Sequence, residues 1–200
     1  PIHRYSKNSF ELFRIPTPKK GMVTGILGRN GIGKSTALDI LSNTHKPNLG
    51  KYDKKNIDQK EILDKFKRSE LSKYLCELYN GEIKVAYKPQ RIDLIPKIYK
   101  GKVKDLIKKV DERKISDRLI VELEVVELLE RNLSDLSGGE LQKIAILATM
   151  VKKANFYFFD EPASFLDVTS RIKVAKLIRE LGREASVMVA EHDLATLDFI

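Results

Sequence analysis

The nine residues "GRNGIGKST", Gly28 to Thr36, constrain this chain more than any other stretch. They follow the apolar run "MVTGIL" (22–27) and precede "ALDILS", where a buried strand turns into a helix. Glycines at 28, 31 and 33 let the backbone curl until consecutive N–H groups point inward at a helix N-terminus, which carries roughly half a positive charge. A phosphate chain fits such a nest. Lys34 then reaches the β- and γ-phosphates of ATP, Ser35 offers its hydroxyl to the bridging Mg2+, and Asn30 and Thr36 join the same nucleotide-binding set. The plain alternative is a glycine-rich turn with a chance lysine.

Hydrolysing a phosphoanhydride also needs a metal-shell carboxylate and a group that orients or deprotonates water. "NFYFFDEP" supplies both. Asp160 ends an apolar strand, the usual place for a Mg2+ ligand, and Glu161 projects past the strand end as a general base. "LSGGELQ" (136–142) repeats the hydroxyl, glycine and helix-start chemistry of the first loop.

Composition narrows the setting. The 200 residues, 42% of them hydrophobic, suit one α/β domain, and the start at Pro1 and stop at "LDFI" read as a piece cut from a longer protein. No run approaches the roughly 18 apolar residues of a membrane span, and no signal-peptide layout opens the chain, so a soluble, cytoplasmic protein is expected. The single cysteine, Cys76 in "YLCELY", reads as a small core residue of a helix. Of the formal net charge of +9, most sits between Lys84 and Lys114, where eleven basic residues face four acidic ones. That segment is either a solvated face or a surface for a polyanion.

Along the chain, residues 1–15 read as an edge hairpin turning at "SKNS", and 59–79 as two short helices interrupted near Arg68-Ser69. "EIKVAYKPQ" reads as a strand ending at Pro89, "VKDLIKKV" and "SDRLIVELEVVELL" as helices, "NFYFFD" as an inner parallel strand, and "SVMVAEH" as the last strand. The pattern predicts a P-loop NTPase: a mostly parallel, doubly wound sheet with N-terminal antiparallel edge strands and a helical subdomain. The core is expected at about 1–90 and 151–200, with the two short helices at about 59–80 and the helical subdomain at about 91–150.

LSGGE together with "FYFFDEP" resembles the signature and carboxylate motifs of ABC-type ATPases. That resemblance implies a dimer of nucleotide-binding domains in which Ser137, Gly138, Gly139 and Glu140 of one domain cap the ATP held by the other, with Asp167 of "SFLD" in the D-loop across the seam. It also implies that Gln90 of "KPQ" contacts Mg2+ and the attacking water, and that His192 of "AEHD" is the switch histidine at the γ-phosphate. "HRY" with a phenylalanine five residues on, "PTPKKG", "KPNLG", "KPQRIDLIPK", "FYFFDEPASFLD" and "EHDLATLDF" narrow the likeness to the first nucleotide-binding domain of ABC subfamily E, the ribosome-recycling or RNase L inhibitor family.

Further implications follow from that family. A full-length protein would carry two [4Fe–4S] clusters in an N-terminal domain missing here, and a second nucleotide-binding domain after a hinge. Its partners would be the small ribosomal subunit and its rRNA, with release and initiation factors, and no membrane. Tyr5 and Phe10 match adenine-stacking positions, although edge-strand packing also accounts for them. The family's first domain carries a helix-loop-helix insert that contacts the small subunit, and the helix pair at about 59–80 matches it in position, so Arg68 and Ser69 there, with Lys97, Lys100 and Lys102 in the basic segment, become candidate ribosome contacts. Arg68 and Asn43 stand where the family commonly has glycine; Arg68 either adds an RNA phosphate contact or reshapes the turn. The alternative function is the ATPase subunit of an ABC membrane transporter.

Overall fold

The computed structural model describes residues 1–28, 31–54 and 57–192, and divides the chain into two compact units. One unit comprises residues 1–18 and 28–84; the other comprises 19–27 and the chain from 85 onward.

In the first unit, β1 (His3–Arg4) and β2 (Glu11–Leu12) pair antiparallel as a separate two-stranded sheet, not as an edge of the parallel one. The turn falls at the foreseen "SKNS", where the Ser6 N–H donates to Ser9 Oγ at 2.6 Å and the Ser9 N–H to the Ser6 carbonyl at 3.2 Å. Helix α1 (Lys34–Leu41) buries Leu38, Ile40 and Leu41. Helices α2 (Gln59–Lys65) and α3 (Glu70–Tyr79) start at Asp58 and Ser69, whose side chains accept from the N–H groups of Lys60 and Ser72. The Tyr74 hydroxyl donates to the Leu41 carbonyl at 2.7 Å, tying α3 to the open end of α1.

Burial of Leu71, Tyr74, Leu75 and Leu78 at helical spacing turns the other side of α3 outward. Cys76 lies on that outer side and is exposed, which corrects its reading as a core residue.

The second unit is built on four parallel strands, β3 (Val23–Leu27), β4 (Val85–Lys88), β5 (Phe156–Asp160) and β6 (Ser186–Glu191), in the order β3-β6-β5-β4. Every residue of β5 is buried, as befits an inner strand covered on both faces. Strand β3 was expected to be buried too, but among the described residues it is an edge strand paired with β6, and it is only partly covered. Lys88 lies opposite Phe159 and Asp160 opposite Ala190, so the carboxyl ends of β4, β5 and β6 line up. Residues that follow those ends are thereby delivered to one edge of the sheet.

Between β4 and β5 come α4 (Ile95–Ile98), α5 (Val103–Val110), α6 (Ser116–Glu122) and α7 (Gly138–Met150); α8 (Val168–Glu184) joins β5 to β6. The apolar stretch after Ser116 does not continue as one helix. Glu124 takes a positive φ of 55°, which no α-helix accommodates, and Val125 and Leu128 fold back into the core through a short 3-10 turn. That core joins Leu106, Leu119, Ile144 and Leu147 to Tyr157, Phe159 and Ile178.

Candidate functional site

The phosphate loop lies in the first unit. Gly31 and Gly33 take φ of 84° and 96°, left-handed values that favour glycine. Gly28 lies under the exposed end of the Ile32 side chain, whose terminal methyl would have to move aside for a Cβ. Gly33 starts α1 without a side-chain cap, which leaves the amides of the first turn for a ligand. Lys34 is buried, its ammonium donating to the Gly28 carbonyl across the loop. Ser35 is exposed, whereas Thr36 is buried with its hydroxyl 2.9 Å from that of Tyr5. Phe10 lies against Gly33 so closely that a Cβ there would meet the ring at 2.1 Å. Tyr5 and Phe10, more than twenty residues upstream, are thus both held at the loop. Asn30 falls outside the described residues.

In the second unit, the aligned strand ends bring two foreseen side chains, and a third that was not foreseen, onto one carboxylate. The Gln90 amide donates to Glu161 Oε1 at 2.7 Å, and His192 Nε2 contacts the same oxygen. The Ser164 hydroxyl lies 3.3 Å from Oε2. Asp160 and Glu161 are 4% and 8% exposed, and Glu161 sits at φ 48°, a costly value for a residue with a Cβ. Beside them opens a cavity of about 520 Å³, lined by Gln90, Gly138, Leu141, Glu161, Ser164 and Phe165.

Ser137 begins α7 with a capping box. Its hydroxyl accepts from the Glu140 N–H, and its own N–H donates to the Glu140 carboxylate at 2.7 Å. That backbone bond is the chief reason the Glu140 carboxyl titrates below its ordinary range; Arg131, 2.7 Å away, adds to it. Gly138 and Gly139 are helical, and Gly139 must be glycine because a Cβ would lie 2.9 Å from the Phe165 carbonyl. Asp167 caps α8, accepting from the Ser170 N–H at 2.9 Å and its hydroxyl at 2.8 Å, which holds its carboxyl low. Within this chain, then, Ser137, Glu140 and Asp167 have local tasks at helix starts.

Sequence reasoning missed the support beneath Glu161. Lys88, 1% exposed, donates to the carbonyls of Asp160 at 2.7 Å and Glu161 at 3.3 Å. Burial pulls its pKa down to about 8, against the opposing pull of the Asp160, Glu161 and Glu191 carboxylates. Gln142, fully buried, donates from Nε2 to the carbonyls of Glu161 and Pro162 at 2.8 and 2.9 Å. Glu191 accepts from the Ala163 N–H at 3.0 Å, and burial raises its pKa. The available signals were a lysine ending "VAYK" and a glutamate inside "VMVAEH".

The sequence profile described as "ABC transporter" matches residues 17–164. The chain belongs to the ABC transporter family. Its whole length is 48% identical to an uncharacterized ABC transporter ATP-binding protein of Methanocaldococcus jannaschii, covering 32% of that protein. It is 46% identical, over 99% of the chain, to ABC transporter E family member 1 of Arabidopsis thaliana and to translation initiation factor RLI1 of Saccharomyces cerevisiae, covering 33% of each. Among solved structures, an archaeal ribosome recycling factor crystallised with the archaeal ribosomal stalk protein superposes with a TM-score of 0.92 at 48% identity, over 98% of this chain and 38% of that one. The chain therefore spans about a third of the length of the curated relatives it matches.

In this ABC ATPase domain both residues that stand where glycine was expected have left-handed backbone conformations. Asn43 and Arg68 take φ of 58° and 68°, left-handed values that favour glycine, so each carries its Cβ in a conformation that costs it energy. Arg68 is exposed, while the Ser69 hydroxyl is engaged as the cap of α3 and donates to the Phe66 carbonyl at 2.6 Å. Lys97 and Lys100 are exposed on the face after β4, but Lys102 shares Glu130 with Lys104 at 2.8 and 2.7 Å. No helix among the described residues is long and apolar enough to cross a membrane.

Proposed function

We propose that this chain is the first nucleotide-binding domain of a cytoplasmic twin-domain ATPase whose nucleotide-driven closure acts on ribosomes. The observation that carries the hydrolytic reading is the convergence of Gln90 and His192 on Glu161 Oε1. By the family resemblance Mg2+ would be held by Ser35, Asp160 and Gln90, whose hydroxyl, carboxylate and amide oxygens are the donors a hard cation prefers. Bound Mg2+ would neutralise charge on the β- and γ-phosphates.

In this reading the amides from Gly31 to Ser35 and the Lys34 ammonium hold the phosphates, and Tyr5 and Phe10 take the adenine. Glu161 accepts the proton of the water that attacks the γ-phosphorus as the bond to the β-phosphate oxygen breaks and ADP leaves. Gln90 and His192 orient the carboxylate and the water. Ser137, Gly138 and Gly139 serve the ATP of a second nucleotide-binding domain, and Asp167 faces it. The core at about 1–90 and 151–200, the insert at about 59–80 and the helical subdomain at about 91–150 divide these tasks.

The ribosomal part rests on likeness to the E-family member and to the recycling factor, along the whole chain. Lys97, Lys100 and Arg68 are the foremost candidates for small-subunit rRNA; Lys102, already paired, and Ser69, already a cap, contribute less. Release and initiation factors would be further partners. The two [4Fe–4S] clusters would belong to a part of the full-length protein outside this chain, which has one cysteine. The test is full-length Glu161→Gln, with turnover expected to fall by about 10²-fold or more while ATP binding is retained. That protein should pellet with small ribosomal subunits in an ATP-dependent, saturable way; pelleting with membranes instead would favour the transporter-subunit reading.

A further inference from the structure

The chain leaves β5 at Asp160 and turns at Glu161 with a left-handed φ of 48° that a glutamate adopts only when its surroundings impose it. Three successive carbonyls in this turn, those of Asp160, Glu161 and Pro162, are bound by side chains. The donors come from separate elements: Lys88 from the end of β4 and Gln142 from α7. Each reaches the Glu161 carbonyl and one neighbour, so together they brace both sides of a single peptide. Both donate to main-chain carbonyls of the turn. Burying an ammonium and an amide costs several kcal/mol if they are unpaired, and the partners they find are the carbonyls of this turn.

We propose that Lys88 and Gln142 are positioning residues for hydrolysis: by clamping the Glu161 carbonyl they hold the left-handed turn that aims its carboxylate at the attacking water. This rests on the reading of Glu161 as general base. Without the clamp the turn relaxes toward an extended conformation, which swings the side chain away from Gln90 and His192. A small misplacement of this kind slows the chemical step and leaves the phosphate loop untouched.

The experiment is a double-mutant cycle in the full-length protein, reading single-turnover ATP hydrolysis and the affinity for a non-hydrolysable ATP analogue. Lys88→Met, of similar length but without donors, is expected to slow hydrolysis by roughly 10- to 100-fold and to change analogue affinity by less than about 3-fold. Added to Glu161→Gln it should cost less than about 2-fold more, because the group it positions is already disabled. Lys88→Arg should recover part of the lost rate. An unchanged rate in Lys88→Met, or the same fractional loss in both backgrounds, overturns the positioning role. Full turnover in Glu161→Gln alone overturns the general-base reading itself, a separate result. If Lys88→Met does not fold, Gln142→Leu enters the same cycle and decides by the same criteria.

Discussion

Gly182, in the last turn of α8, invites a substitution whose sign the structure reverses. By helix propensity alone, Gly182→Ala should stabilise the chain by about 1 kcal/mol, with up to about 0.8 kcal/mol more for burying a methyl group. The added Cβ, however, would stand 2.4 Å from Val23 Cγ2 on β3, with the Val23 nitrogen at 3.5 Å and the Met22 carbonyl carbon at 3.7 Å. Carbon atoms pack at roughly 3.5–4.0 Å. Valine has a stiff χ1 and cannot swing aside freely, so either its rotamer is strained by about 0.5–1.5 kcal/mol or the strand shifts. Overpacking of this sort costs about 1–3 kcal/mol. Set against the gain, the upper part of that range leaves a net loss of up to about 2 kcal/mol, a fall in Tm of up to about 8 °C for a chain of this length. Urea and thermal melts of Gly182→Ala in the presence and absence of Val23→Ala would measure it. With Val23 truncated, the alanine should become neutral or stabilising. A higher Tm with Val23 intact, or equal effects in both backgrounds, would refute the steric argument.

Two further expectations concern the first unit. Arg68 is exposed at φ 68°, so Arg68→Gly should remain within about 0.5 kcal/mol of the parent while Arg68→Val, β-branched at a left-handed position, loses about 1–2 kcal/mol; equal urea midpoints for the two would contradict the turn geometry. His3 is buried against His45 with ring centroids 4.7 Å apart, and burial first, then the charge of His45, lowers its pKa below 6.5. Its folded form binds fewer protons than the unfolded chain just under pH 6.5, so stability falls as the pH drops through that value. In His3→Phe that share of acid sensitivity should vanish, and parallel stability–pH curves for the two proteins would exclude it.

Much of the site was legible because phosphate chemistry makes unusual demands on the backbone. Gly31 and Gly33 stand out in any reading, and the apolar run into Asp160 and Glu161 announces an inner strand with carboxylates at its end. The helix-capping tasks of Ser137 and Asp167 were equally visible in principle, since "SGGE" is a capping-box pattern and aspartate is a favoured N-cap. Cys76 was misjudged because its neighbours are apolar; the phase of α3, set by Leu71, Leu75 and Leu78, decided which side it faces.

Lys88, Gln142 and Glu191 were hidden for a different reason. Pattern reading sends charged and amide side chains to the surface, and their burial here is offset by carbonyls, an N–H and carboxylates brought in from elements far away in sequence. The amino-acid sequence by itself determined the phosphate loop, the carboxylate pair, the signature and the alternation of strands and helices, all properties of local spacing and backbone stereochemistry. Which residues share one carboxylate, and which buried donors hold its turn, was decided by the parallel register of β4, β5 and β6. That register is a long-range pairing, and β5, apolar and buried at every position up to Asp160, has no alternation of faces that would set it.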